Sequence, residues 1–216
     1  MSLPTTLTMK LESLTPIPGP TGRIRLKFDN GATMKVYPEV VADCVLYVGK
    51  EFSEEDFKTL EETARKASAR QRAVRIVSAS AVSEKELQRR LLQRGEREED
   101  VQQSVAWLKD LNVLDDRQVA AEVVRKCIAK GFGPARTRQE LYGKGVPKEL
   151  WDEALAEYPE MDDEIRQFLE SHLRGEKPDR KQIQQLTGAL ARRGHSYEAI
   201  RAALRKYTDE LDEFEP

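Results

Sequence analysis

The chain has 216 residues, of which 39% are apolar, 34% charged and only 6% aromatic; it suits one elongated multi-module protein or two small domains with a Leu, Val, Ile and Ala core that favours helices over strands. Its net charge of -2 divides into -3 over residues 1–64, +6 over 65–206 and -5 over the last ten, which fits a polyanion-facing body with an acidic tail and fits an ordinary mixed-charge helical surface equally well. Two distant cysteines, Cys44 and Cys127, exclude a disulfide framework and a zinc site, no apolar run is long enough to cross a bilayer, and Met1–Thr6 lacks the basic and apolar segments of a secretory signal, so a reducing cytoplasm is the expected compartment.

Residues 1–20 hold four prolines and little periodicity, and are expected to form a flexible leader. Arg23–Phe28 then alternates polar and apolar side chains as a half-buried strand does, and Thr33–Tyr37 returns as its partner. Between them, Asn30-Gly31 is the preferred pair for a type I′ hairpin turn. Pro38 to Val45 reads as a short helix with proline in its first turn, and Leu46, Tyr47, Val48 and Phe52 are expected to add apolar contacts. Residues 21–66 thus form a small β-hairpin extension with a connecting helix. That helix opens at Ser53-Glu54-Glu55-Asp56, where a hydroxyl cap precedes acids placed at the positive end of the dipole, and it runs through Val77.

Beyond it the chain repeats itself. Gly95, Gly145 and Gly194 each follow a helical segment, spaced by 50 and 49 residues. Four residues before each stands Leu91, Leu141 or Leu190; one residue before stands Arg94, Lys144 or Arg193. Glycine after a helix takes the left-handed conformation at little cost, so these are helix stops. A capping box at Ser83–Glu86, Pro147 and Ser196 mark the starts of helices. The expected organisation is mainly α: tandem three-helix repeats over 67–114, 115–158 and 159–208, with an acidic tail at 209–216. In the second repeat the helices are Asp116–Lys130, one from about Pro134, and Pro147–Glu157; in the third they are Met161–Leu173, Arg180–Arg193 and Tyr197–Tyr207. A unit of about fifty residues has a minimal core and must stack on its neighbours.

Gly131-Phe132-Gly133-Pro134-Ala135-Arg136-Thr137-Arg138-Gln139-Glu140-Leu141, with Lys144-Gly145-Val146 after it, resembles the G-x-G-P-x-R-I-x-x-E-L and K-G-V/I pattern of the RecX family. Leu111-Asn112-Val113-Leu114-Asp115-Asp116 is similar to that family's L-x-x-L-D-D link, and Arg192-Arg193-Gly194-His195-Ser196-Tyr197 to its R-R-G-F-x-Y element. Thr137 departs from the pattern's Ile, Val119 from a usual Tyr, and His195 from an aromatic. The resemblance covers residues 70–207 well and the hairpin more weakly. It implies a curved array of three-helix repeats lying in the groove of the RecA–DNA filament. It further implies inhibition of RecA's ATPase, strand exchange and coprotease functions, in the setting of DNA repair, recombination and the SOS response. The implied partners are RecA and single- and double-stranded DNA, with no membrane and a monomeric state. The motif residues that carry the resemblance include Leu114, Asp115, Asp116, Gly131, Gly133, Pro134, Glu140, Leu141, Gly145, Gly194 and Tyr197.

A filament-binding modulator needs reach and charge rather than a reactive centre. The candidate contacts are Arg89, Arg90 and Arg94 in the first repeat, Arg125, Lys126, Lys130, Arg136, Arg138 and Lys144 in the second, and Arg192 and Arg193 in the third. Arg136, beside a helix start, suits an anion held at that terminus and equally an ion pair with Glu140. Trp107 and Trp151 read as core, Phe132 and Tyr142 as open to a partner. Gly131-Phe132-Gly133 lacks the spacing of a nucleotide loop, and the two histidines, His172 and His195, have no neighbouring ligand. No catalytic residue, metal or cofactor is expected, and the alternative is a helical module that binds nucleic acid without RecA.

Overall fold

The structure, a computed structural model, describes residues 8–207; the first seven residues and the acidic tail at 209–216 lie outside it. The chain divides into two compact units. One comprises residues up to Ser80 with Leu87–Leu114, the other Ala81–Glu86 with the residues from Asp115 onward.

The first unit carries four strands, β1 (Met9–Pro16), β2 (Ile24–Phe28), β3 (Thr33–Val36) and β4 (Glu51–Phe52), in the order β3-β2-β1-β4 and all antiparallel. The sheet corrects the reading of a leader for residues 8–20, the first seven lying outside the described residues, and of the extension as a hairpin alone. β1 places Leu11, fully buried, on the core side, and a bulge between Leu11 and Ser13 brings Leu14 back toward it. Pro16 ends the strand and Pro18 and Pro20 follow it, so they break no ladder bond. The turn also differs from the expected type I′. Gly31 N–H donates to Phe28 O at 3.0 Å and Gly31 has φ +83°, but Asn30 stays at negative φ and its Oδ1 accepts from Ala32 N–H at 2.9 Å.

Helix α1 (Pro38–Asp43) starts on its proline, and α2 (Glu54–Ala79) starts on a capping box between Ser53 and Asp56. Hydrogen bonds from Ser53 hold the Asp56 carboxyl below the usual carboxylate range. α2 packs Leu60 and Ala67 into the sheet's core, where Phe28 meets Phe52 and Phe57 edge-on at 5.8 and 5.1 Å. Tyr47 and Val48, expected in this core, are exposed at 59% and 62%, because only Leu46 of that loop turns inward. Helices α3 (Glu84–Gln93) and α4 (Glu98–Asp110) follow, and α4 packs along α2. Arg65 Nε lies 3.2 Å from the fully buried Asp100 carboxylate, an acid in the first turn of α4 where the dipole also favours it.

The second unit holds α5 (Asp116–Ala129), α6 (Pro134–Gly143), a 3-10 turn at Lys148–Leu150 running into α7 (Trp151–Leu155), then α8 (Asp162–Leu173), α9 (Arg180–Arg192) and α10 (Tyr197–Leu204). α5–α7 close over Val119, Val123, Val124, Leu141 and Leu155, and α8–α10 over Ile165, Leu169, Leu186, Leu190 and Ile200. Truncating a fully buried leucine such as Leu141 removes about 2–5 kcal/mol of stability. The third helix expected at 147–157 is shorter and begins as 3-10. The stop glycines Gly95, Gly145 and Gly194 adopt φ of +82°, +73° and +89°.

Candidate functional site

In the second unit the turn before each stop glycine docks on the start of an earlier helix. Ser83 caps α3 by accepting from Glu86 N–H at 3.1 Å, and its hydroxyl donates to Lys144 O at 2.6 Å. Glu84 N–H donates to Asp116 Oδ1 at 2.8 Å beside it. One repeat later the same place is taken by backbone: Gly133 N–H donates to Arg193 O at 2.8 Å and Ala135 N–H to Gly194 O at 3.3 Å. The approach is so close that a Cβ on Gly133 would stand 2.2 Å from Gly194 O, and one on Gly194 would stand 2.2 Å from Arg136 N. Only glycine fits on either side of this joint.

The second joint gathers charge around one ring. Arg193, Arg136 and Lys130 place their cationic groups 5.5, 5.7 and 6.0 Å from the centre of Phe132. Arg193 also lies 5.3 Å from the Phe168 ring and donates to Lys130 O at 2.7 Å. Arg136 pairs with Glu140 at 2.7 Å, the ion-pair arm of the two roles expected for it. Thr137, fully buried where the family pattern has Ile, serves this loop with its hydroxyl. Tyr158 O–H donates to Phe132 O at 2.6 Å, and its oxygen lies 2.8 Å from Thr137 Oγ1, itself 3.1 Å from Gly133 O. Burial pushes the Tyr158 phenol above its usual range. His195 is 7% exposed, with Nε2 3.1 Å from Gly131 O. Burial holds its imidazole below the ordinary value, only partly opposed by that hydrogen bond.

Other candidates lie elsewhere. Arg125 and Lys126 on α5, Arg138 on α6 and Lys144 just past the end of α6 are exposed. Lys126 bonds Glu122 and holds that carboxyl below its usual range, with Arg125 and Lys144 adding to the effect. Arg89 is exposed and Arg90 half-buried, and both have interaction partners. Arg94 lines a cavity of about 570 Å³ in the first unit with Arg65, Arg72, Arg97, Glu61 and Glu96. Its carbonyl accepts from Arg72 Nη1 at 3.1 Å. Arg192 is exposed at the end of α9. Among the motif residues, Leu114 and Leu141 are core, Asp115 caps α5 through Arg117 N–H, Gly131 turns with φ +63°, Pro134 opens α6, and Tyr197 is 70% exposed. Most of the motif therefore builds joints and caps. The tie from Ser83 to Lys144 was invisible in the sequence, because 61 residues separate its ends. Among the described residues no cluster of His, Cys, Asp and Glu could hold a metal ion, and no helix is long and apolar enough to cross a membrane.

Residues 115–155, the α5–α7 triplet, match the family model described as RecX, second three-helix domain. The regulatory protein RecX of Vibrio campbellii is 33% identical over 139 residues, covering 63% of this chain and 90% of that relative. The chain belongs to the RecX family. The RecX of Clostridioides difficile is 26% identical over 198 residues, covering 89% of this chain and 92% of its own length. A crystal structure of regulatory protein RecX superposes with a TM-score of 0.67 at 22% identity, covering 92% of this chain and 99% of that one. RecX from Lactobacillus salivarius superposes at 0.58 over 66% of this chain and 96% of its own. These likenesses establish the mostly helical RecX fold with its small N-terminal sheet, in a family of regulatory proteins.

Proposed function

We propose that this RecX protein regulates RecA as an inhibitor, lying in the groove of the RecA–DNA filament and lowering ATP hydrolysis, strand exchange and coprotease activity. It acts as a monomer in the cytoplasm, through tandem triplets at 67–114, 115–158 and 159–208, with no catalytic step of its own. The observation that carries the reading is the second triplet, which matches the RecX model and exposes Arg125, Lys126, Lys130, Arg138 and Lys144. Exposed bases of this kind suit phosphates and acidic protein surface, with sequence-independent and salt-sensitive affinity. Arg89, Arg90, Arg94 and Arg192 extend the set of candidate contacts, whereas Arg193, also a candidate from sequence, is committed to the joint at Phe132 and Phe168.

The test adds the purified protein to RecA, single-stranded DNA and ATP and follows ATP hydrolysis. Suppression at protein levels well below RecA supports the reading. Unchanged hydrolysis with tight binding to bare DNA favours the alternative, a nucleic-acid-binding module independent of RecA. An Arg136→Glu/Arg138→Glu variant that inhibits as well as wild type removes that part of the contact surface.

A further inference from the structure

Two neighbouring residues on α6 offer the fold their backbone but no side-chain contact. Tyr142 is 69% exposed, and its side chain makes no hydrogen bond or ring contact with any described residue. Gly143, the last residue of α6, is also exposed. Its φ lies outside the left-handed region, and beyond its chain neighbours and its own helix backbone a Cβ there would meet nothing within 4 Å. Neither backbone shape nor packing asks for glycine, which lowers helix stability by about 1 kcal/mol relative to alanine. The repeat sharpens the anomaly. Counting back from the stop glycines, the places of Tyr142 and Gly143 are held by Leu92 and Gln93 in the first triplet, and by Ala191 and Arg192 in the third.

The surroundings are cationic. Arg138 stands one helical turn before Tyr142 on the same face, exposed and with no side-chain partner among the described residues. Lys144 follows two residues later, exposed and close enough to Glu122 to help hold that carboxyl charged. Glu122 is already neutralised by Lys126, and Arg125 is exposed on the same helix as both. An exposed aromatic ring with exposed cations one helical turn before it and two residues after it is what an unpaired base and its backbone require. A protein partner's hot spot would also use an exposed tyrosine, but it would not need exposed cations on both sides of the ring.

We propose that Tyr142 is a stacking platform for an unpaired base of single-stranded DNA, with Arg138 and Lys144 taking the adjoining phosphates. This deepens the reading of the second triplet as a contact face and rests on it. The platform distinguishes strand states. A duplex keeps its bases stacked on each other, so the ring has nothing to take, while the cations serve both forms.

The test measures anisotropy of a labelled oligothymidylate and a labelled duplex at low salt, without RecA. Tyr142→Ala is expected to weaken single-strand binding about tenfold, with duplex binding within about twofold and Tyr142→Phe close to wild type. Arg138→Glu is expected to weaken both. Equal loss on both DNAs, no loss with Tyr142→Ala, or no wild-type binding to the oligothymidylate would each overturn the proposal. So would a Tyr142→Ala variant that binds the single strand normally yet no longer inhibits RecA, which would put the ring on protein. Circular dichroism checks folding; the site is exposed, so the variants should melt with wild type. RecA ATPase assayed alongside separates the two readings: wild type that fails to inhibit RecA but shows the Tyr142 effect refutes the proposed function and leaves the platform standing.

Discussion

At one joint of the second unit a serine hydroxyl donates to Lys144 O; at the other the Gly133 amide donates to Arg193 O. The carbonyl acceptors occupy equivalent repeat positions, each one residue before a stop glycine. The parts around them differ. At the serine joint a Cβ on Gly145 would meet Ser83 Oγ at 3.0 Å, a contact that a side chain can relax. At the glycine joint backbone meets backbone, and Arg193 folds between Phe132 and Phe168 instead of pointing into water as exposed Lys144 does. One repeat position thus yields a free surface cation in one copy and a structural one in the next. A basic residue in a repeat motif does not declare which it is.

The largest expected effect falls on the glycine joint. Gly194→Ala combines a backbone clash with a positive φ, and urea unfolding should show a loss of about 3 kcal/mol or more. A small loss would mean the joint relaxes easily and the contrast between the joints is false. Ser83→Ala removes a cap and leaves Lys144 O without its donor, which should lower stability by about 1–2 kcal/mol. Next, Arg193→Lys should cost about 1 kcal/mol through its lost stacking and fork geometry, whereas Lys144→Ala should leave the unfolding midpoint unchanged; equal effects would erase the distinction.

The smallest effect concerns pH. His195 sits buried in the glycine joint with its imidazole held below 6.5, so the unfolded chain binds the proton first. Its contribution is complete above pH 6.5 and is lost as pH falls below that value. His195→Phe should flatten the fall in stability over that acid range, read from urea midpoints at successive pH values. An unchanged slope would show that other groups set it.

Much of the architecture was legible in local pattern. The helix starts at Ser53, Ser83 and Ser196, the stops at the three glycines and the apolar spacing of α5 to α10 follow from chemistry within a few residues. β1 was not, because prolines at its end masked an alternation interrupted by a bulge. The candidate bases are legible as charged positions on helices and at their ends, but their sorting is hidden. Lys130, Arg136 and Arg193 converge on Phe132 from segments up to 63 residues apart, while Arg138 stays exposed on α6. Tyr142 reads as open to a partner from sequence alone; that neither packing nor backbone shape calls for glycine at 143 takes the space around its Cα to see.

The sequence by itself determined the helical repeats and the family, because periodicity, caps and stops act over one or two turns. Only the tertiary structure decided that the motif glycines and Arg193 join one triplet to the next while Tyr142 and Arg138 face outward. Those roles depend on contacts between segments distant along the chain, and nothing in the local pattern encodes which face of a helix a neighbour will cover.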